Sequence, residues 1–74
     1  MVTGEVVNNM SNLRFYRRAA GFFKGEMAAE LRIPTAMYDL MERGKLYIPA
    51  EDQVIITNLI SERLGEFIDP TEIF

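Results

Sequence analysis

The apolar residues between positions 12 and 64 recur at spacings of three and four, the period of helices with one buried face. This pattern predicts four helices, over about 12–20, 24–31, 35–43 and 50–64. A fifth, one-turn helix is expected after Asp69, because Pro70 occupies the first helical position and Glu72 the capping-box position. The chain is therefore expected to be all-α, a compact bundle of five short helices.

Glycine and proline mark the ends of the predicted helices. Gly21, Gly44 and Gly65 directly follow the first, third and fourth helices, and glycine ends helices because it readily adopts the left-handed conformation. Pro34 keeps Ile33 out of helical angles. The second and third helices are therefore expected to be separated by a link of only three residues.

Residues 1–10 have no helical period, and Gly4 with Asn8-Asn9 favours a loose chain. We expect a flexible N-terminal arm over 1–10 and a helical domain over 11–74. The spacing also predicts which side chains form the core of that domain, namely Leu13, Tyr16, Ala20, Phe22, Met27, Ala28, Leu31, Tyr38, Met41, Ile56, Ile60 and Leu64.

The 74 residues include no cysteine and no histidine. Disulfides, thiolate metal sites and the commonest general base are therefore excluded. The paired carboxylates, such as Glu26 and Glu30, are explained by solvated helix faces. We expect no enzymatic activity, no metal and no cofactor. No apolar run approaches the roughly 18 residues of a membrane span, so we expect no membrane partner and a cytoplasmic location.

Charge is unevenly distributed along the chain. Residues 1–45 carry a net charge of +2 and residues 46–74 a net charge of −5, for a total of −3. This asymmetry favours one surface for a polyanion and another that faces away from it. Charge alone does not establish such a surface, because the net charge of a short segment varies by a few units by chance.

Two short helices joined by a three-residue link, with a capped helix before them, are typical of a helix-turn-helix. At these positions the chain resembles the helix-turn-helix family of phage λ-type repressors (the Cro and xenobiotic response element type). The resemblance covers residues 12–74. It rests on an ordered series of residues: Leu13-Arg14, Arg17, Ala20-Gly21-Phe22, Met27-Ala28, Leu31-Arg32-Ile33, Tyr38, Met41-Glu42-Arg43-Gly44-Lys45 and Leu64-Gly65.

The resemblance implies a transcription regulator that binds double-stranded DNA with its third helix in the major groove. The residues that it places against base edges are Lys24, Thr35, Ala36, Met37 and Leu40. Those that it places against phosphates are Arg14, Arg17, Arg43 and Lys45. It also implies an ion pair between Arg17 and Glu42, for which an ordinary surface pair is the alternative. A regulator of this kind is expected at the nucleoid.

The exposed face of the predicted third helix departs from the family pattern. Among its residues only Thr35 bonds a base edge easily, and phosphates would repel Asp39. Exposed Phe15 and Phe23, together with Met37 and Leu40, favour an alternative, a helix-turn-helix fold that binds a second regulator protein through an apolar patch. A positive rim around the third helix would favour DNA, and an uninterrupted apolar face would favour protein.

More apolar residues lie near the C-terminal end than the buried face of the fourth helix accounts for. We expect Ile55, Leu59, Phe67 and Ile68 to form a homodimer interface, which the family often builds at this end. Such a dimer would place two recognition helices about 34 Å apart on a palindromic site. The alternative is that so small a domain needs all these groups in its own core.

Overall fold

Five α-helices make up the part of the chain that the computed structural model describes, residues 11–74. They are α1 (Leu13–Ala19), α2 (Lys24–Leu31), α3 (Thr35–Glu42), α4 (Ala50–Leu64) and α5 (Pro70–Ile73). These residues contain no strand, and the prediction of an all-α bundle is confirmed. The arm predicted over 1–10 lies outside the described residues.

The helix boundaries follow the signals in the sequence closely. The bounds of α2 and α4 are those predicted, and α1 and α3 are shorter by one or two residues because their ends are cap residues. Gly21, Gly44 and Gly65 adopt φ of 81°, 75° and 73°. These left-handed angles confirm the predicted role of the three glycines as helix ends.

Both ends of the domain are tied together by hydrogen bonds. The Asn12 N–H donates to the Ile73 carbonyl at 2.8 Å, and the Asn12 side-chain amide donates to the Glu72 carbonyl at 3.0 Å. The Ser11 hydroxyl donates to the Ile73 carbonyl at 3.3 Å and accepts from the Leu13 N–H at 3.1 Å. The start of α1 is therefore fixed to the end of α5.

Reciprocal capping begins α5, as the sequence predicts. The Asp69 carboxylate accepts from the Thr71 N–H at 2.9 Å and from the Thr71 hydroxyl at 2.8 Å. The Glu72 carboxylate accepts from the Asp69 N–H at 3.1 Å. The bonds from the Thr71 N–H and then its hydroxyl lower the pKa of the Asp69 carboxyl below its usual value.

All five helices contribute to one core. Its largest fully buried side chains are Leu13, Met27, Tyr38, Ile56, Ile60 and Ile73. Tyr16, Leu31 and Leu64, predicted as core residues, are only partly buried at its edge. Two buried polar residues, Arg17 and Thr57, were not predicted. Thr57 is accommodated inside α4 because its hydroxyl donates to the Gln53 carbonyl at 2.7 Å.

Among residues 11–74, none of the helices has both the length and the apolar composition that crossing a membrane requires.

Candidate nucleic-acid interface

A tight turn sets α3 against α2. Arg32 adopts the left-handed conformation at φ 61°, and the N–H groups of Arg32 and Ile33 donate to the last carbonyls of α2, at Ala29 and Ala28. Pro34, in an extended conformation, is the N-cap residue of α3, which begins at Thr35. The hydrogen bonds from Arg32 and Ile33 satisfy two of the carbonyls that the end of α2 leaves without a helical partner. The two helices make more extensive contact than any other helix pair in the described residues.

The two sides of α3 differ sharply in exposure. Tyr38 and Met41 are buried in the core, as predicted. The opposite side is exposed, and it carries the four α3 residues for which base contacts were predicted: Thr35, Ala36, Met37 and Leu40. Met37 and Leu40 are the large apolar residues of this face, at 39% and 38% exposure. The face is therefore accessible to a partner and mostly apolar.

An acidic residue on α3 holds two of the predicted DNA-binding cations. The Asp39 carboxylate accepts from the Lys24 ammonium at 2.5 Å through one oxygen and from the Arg43 guanidinium at 3.1 Å through the other. We call Lys24, Asp39 and Arg43 the Asp39 cluster. The hydrogen bonds from Lys24 and then Arg43 lower the pKa of the Asp39 carboxyl, so it is ionised at neutral pH.

The Asp39 cluster was not predicted from the sequence. Asp39 and Arg43 stand four residues apart on one helix, a spacing at which opposite charges pair. The Asp39–Arg43 pair could therefore have been predicted from the sequence. The Lys24 contact depends on how α2 and α3 pack and has no local signal. Lys24 was predicted to face bases, and in the structure its ammonium is paired with Asp39 instead.

Arg14 and Lys45 have no such partner within the part of the chain that the structure describes. Both are exposed, and neither makes an ion pair within residues 11–74. Arg14 lines the same shallow depression as Lys24 and Arg43, so three of the predicted basic residues surround one surface feature beside α3. Asp39 and Glu42 also line this depression, which makes its charge mixed rather than uniformly positive.

Arg17 and Glu42 form the predicted ion pair, and it is buried. The Arg17 guanidinium donates to the two Glu42 oxygens at 2.6 Å and 3.0 Å and to the Phe22 carbonyl at 2.8 Å. The exposed fractions of the two side chains are 8% and 2%. This corrects the expectation that Arg17 contacts phosphates, because its donors are directed inward. The hydrogen bond with Glu42 raises the pKa of Arg17.

The Tyr38 hydroxyl lies beside this pair. It is buried and has no hydrogen-bond partner among residues 11–74. Burial, and next the negative charge of Glu42, raise the pKa of the Tyr38 hydroxyl strongly. Tyr38 is therefore neutral, and we assign its side chain to packing rather than to chemistry.

Both phenylalanines of the predicted apolar patch are accessible. Phe15 is 69% exposed and Phe23 is 77% exposed. The Phe15 ring contacts Tyr16 edge-to-face, with ring centroids 5.5 Å apart, and none of the five helices in residues 11–74 covers it. Exposure of these rings is what the protein-binding alternative requires, although exposed apolar residues are common on small domains.

The predicted dimer residues fall into three environments. Ile55 and Phe67 are exposed, Leu59 is partly buried against the core, and Ile68 is buried at 4% exposure. The expectation that Ile68 lies in an interface between two chains is corrected. Its N–H donates to the Ser61 hydroxyl of α4 at 3.1 Å, which holds this segment on the domain and places the Ile68 side chain inside it.

Within residues 11–74, no group of three acidic side chains is placed to hold a metal ion. None of the known family models, curated proteins or solved structures compared with this chain matches it. The geometry of α2, α3 and their basic neighbours therefore carries the functional argument.

Proposed function

We propose that this chain is the DNA-binding domain of a transcription regulator, which inserts α3 into the major groove. The observation that carries the proposal is the exposed face of α3, set against α2 by a three-residue turn and flanked by basic side chains. A helix is the element that fits the width of the major groove. The second helix of such a pair is the one that enters it.

Roles for individual residues follow from this placement. Thr35 is the α3 residue able to bond a base edge, and Ala36 and Met37 suit contacts with thymine methyl groups. Arg14 and Lys45 are exposed cations without acidic partners within residues 11–74 and suit phosphates. With so few polar groups on α3, DNA shape and backbone contacts would supply part of the selectivity.

A salt titration of binding to random-sequence duplex DNA, followed by fluorescence anisotropy, tests the proposal. We expect a dissociation constant of about 10⁻⁴ to 10⁻⁶ M that weakens steeply with salt, since released counterions drive such binding. An association constant below about 10⁴ M⁻¹ even at low salt would contradict the proposal.

Charge-removing variants make the test specific to this surface. Lys45→Gln and Arg14→Gln should each reduce the slope of log K against log salt by about 1. Arg63→Gln is the matched control, because Arg63 lies over the Phe22 ring at 3.9 Å and donates to the Ala20 carbonyl. The Arg63→Gln variant should be less stable than wild type and show the same slope of log K against log salt. Thermal melting of each variant separates a loss of stability from a loss of DNA contacts.

Binding to a second regulator protein through the exposed apolar residues is the alternative. Phe15 and Phe23, the most exposed aromatic residues of α1 and the α2 cap, favour it. The Asp39 cluster also favours it, because it neutralises two of the cations that DNA would need. Salt-insensitive, weak DNA binding together with loss of regulator binding on Phe23→Ser would support this alternative.

A further inference from the structure

Asp39 is the acidic residue of α3 that stands on the DNA side of the helix. The other acidic residue of α3, Glu42, is directed inward onto Arg17. The Asp39 side chain retains 27% exposure, and its two partners retain 39% (Lys24) and 57% (Arg43). All three members of the cluster are therefore within reach of an approaching duplex.

An N–H group of Lys24 or Arg43 that is bonded to Asp39 cannot bond a phosphate at the same time. A phosphate oxygen offers them the same chemistry that the carboxylate already provides, a charge-assisted hydrogen bond to an anionic oxygen. Asp39 uses one oxygen for each cation, so both are engaged together. Each cation keeps further N–H groups that a phosphate can use, but a phosphate bound there shares the cation with Asp39 and lies close to a charge of the same sign.

We propose that Asp39 lowers the affinity of this domain for DNA of arbitrary sequence, by competing with phosphates for Lys24 and Arg43. This inference rests on the proposed DNA-binding function. Arg14 and Lys45, which lack acidic partners within residues 11–74, supply a small basal attraction. Tight binding is then restricted to sites where contacts of Thr35, Ala36 and Met37 with bases offset the cost of releasing the cluster. Asp39 thus acts as a specificity-determining residue without contacting a base.

Asp39→Asn tests the inference on random-sequence duplex DNA. The variant keeps the size of the side chain and removes its charge, so both cations become available to phosphates. We expect the affinity at low salt to rise about tenfold. The slope of log K against log salt should steepen by about 1 to 2, because each new phosphate contact contributes about 0.9.

Glu62→Gln is the matched control for overall charge. It makes the same charge change on an exposed residue of α4 that pairs with no basic group among residues 11–74. We expect the affinity of this variant to stay within about twofold of wild type, with an unchanged slope. An equal gain in both variants would overturn the inference, because net charge alone would then explain it.

Two further variants separate competition from other effects. Asp39→Ala should reproduce the gain, and a melting curve of each variant shows whether the domain is folded at the temperature of the titration. Adding Lys24→Gln to Asp39→Asn should remove about half of the increase in slope, since one of the two released cations is then absent. Persistence of the whole increase would contradict the role of Lys24.

The outcomes distinguish this inference from the function on which it rests. If wild type binds duplex DNA and both Asp39 variants bind equally well or more weakly, Asp39 orients the two cations for DNA and the inference is overturned, while the proposed function stands. If neither wild type nor either variant binds in a salt-dependent manner, the proposed function and the inference are both overturned.

Discussion

At the residue scale, the buried pair between Arg17 and Glu42 joins three segments of the domain. Arg17 joins α1 to the end of α3 through Glu42 and to the segment before α2 through the Phe22 carbonyl. A buried pair of this kind often adds little net stability, yet removing one partner is costly because a charge is left unpaired. Its role is to fix the position of α3.

Neutralising Glu42 should therefore destabilise the domain. We expect Glu42→Gln to lower the free energy of unfolding by about 3 kcal/mol, because the Arg17 charge remains buried without a counterion. Urea denaturation measures the change. Glu30→Gln, an exposed residue of α2, should change stability by less than about 0.5 kcal/mol. A small effect in both variants would show that water reaches Arg17.

Removing the Tyr38 hydroxyl should have the opposite effect. This group is buried without a hydrogen-bond partner among the described residues, and such a group costs about 1–3 kcal/mol. We expect Tyr38→Phe to raise the free energy of unfolding by about 1 kcal/mol, measured by urea denaturation. Tyr16→Phe is the control, since the Tyr16 hydroxyl donates to Glu72 at the surface. A loss of stability in Tyr38→Phe would reveal a bond to Glu42 or Arg17.

At the scale of elements, glycines in two backbone conformations allow a paired test. Gly25 lies in the first turn of α2, where an added Cβ would meet only the Thr35 hydroxyl, at 3.8 Å. Gly65 follows α4 with φ of 73°. Alanine suits the first conformation and not the second.

Substitution by alanine should therefore change stability in opposite directions at these positions. We expect Gly25→Ala to raise the free energy of unfolding by about 0.5–1 kcal/mol and Gly65→Ala to lower it by about 1 kcal/mol. Thermal and urea unfolding of the two variants measure the difference. Destabilisation by Gly25→Ala would contradict this expectation, because the added Cβ would stand at an ordinary van der Waals distance from the Thr35 hydroxyl.

The cap of α5 should make stability depend on acid. The folded domain holds the pKa of the Asp69 carboxyl below its ordinary value of 3.8. The stabilisation is thus fully present above about pH 4 and is lost as pH falls through the lowered value. Asp69→Ala should lower the melting temperature at pH 7 and have a smaller effect at pH 2.5. An equal effect at both pH values would exclude the charge as the cause.

Local signals in the sequence predict the elements better than the contacts between them. The bounds of α2 and α4 and the cap of α5 follow from residues within one or two turns of each other. The Arg17–Glu42 pair was predicted from the expected family resemblance and not from any local signal. The Lys24–Asp39 pair and the burial of Ile68 depend on how distant segments pack, and periodicity carries no information on that.

At the scale of the whole molecule, the separation of charge along the chain is compatible with the predicted dimer. The region after Lys45 carries six acidic side chains and one basic one, and the predicted interface residues come from the same region. A dimer formed there would leave the basic residues near α3 free to face DNA. Ile55 and Phe67 are the predicted interface residues that the structure leaves exposed.

We therefore expect Ile55→Ser to weaken self-association while the domain stays folded. Sedimentation equilibrium should show the dimer dissociation constant rise by about five- to thirtyfold, because an interface residue of this size is worth about 1–2 kcal/mol. Asn58→Ser, on the same exposed side of α4, is the control. A wild-type chain that is monomeric at all concentrations would contradict the predicted dimer.

The hydrogen bonds that join Ser11 and Asn12 to Ile73 have a consequence for biosynthesis. Helix α1 leaves the ribosome before the other helices of residues 11–74, and it gains its anchor on α5 only from residues made 60 positions later. While translation proceeds, α1 exposes Leu13, and its first turn is held only by local bonds such as that from the Leu13 N–H to the Ser11 hydroxyl. The domain is thus expected to close only after residue 74 has emerged from the exit tunnel, and nascent chains stalled before that point should remain sensitive to protease.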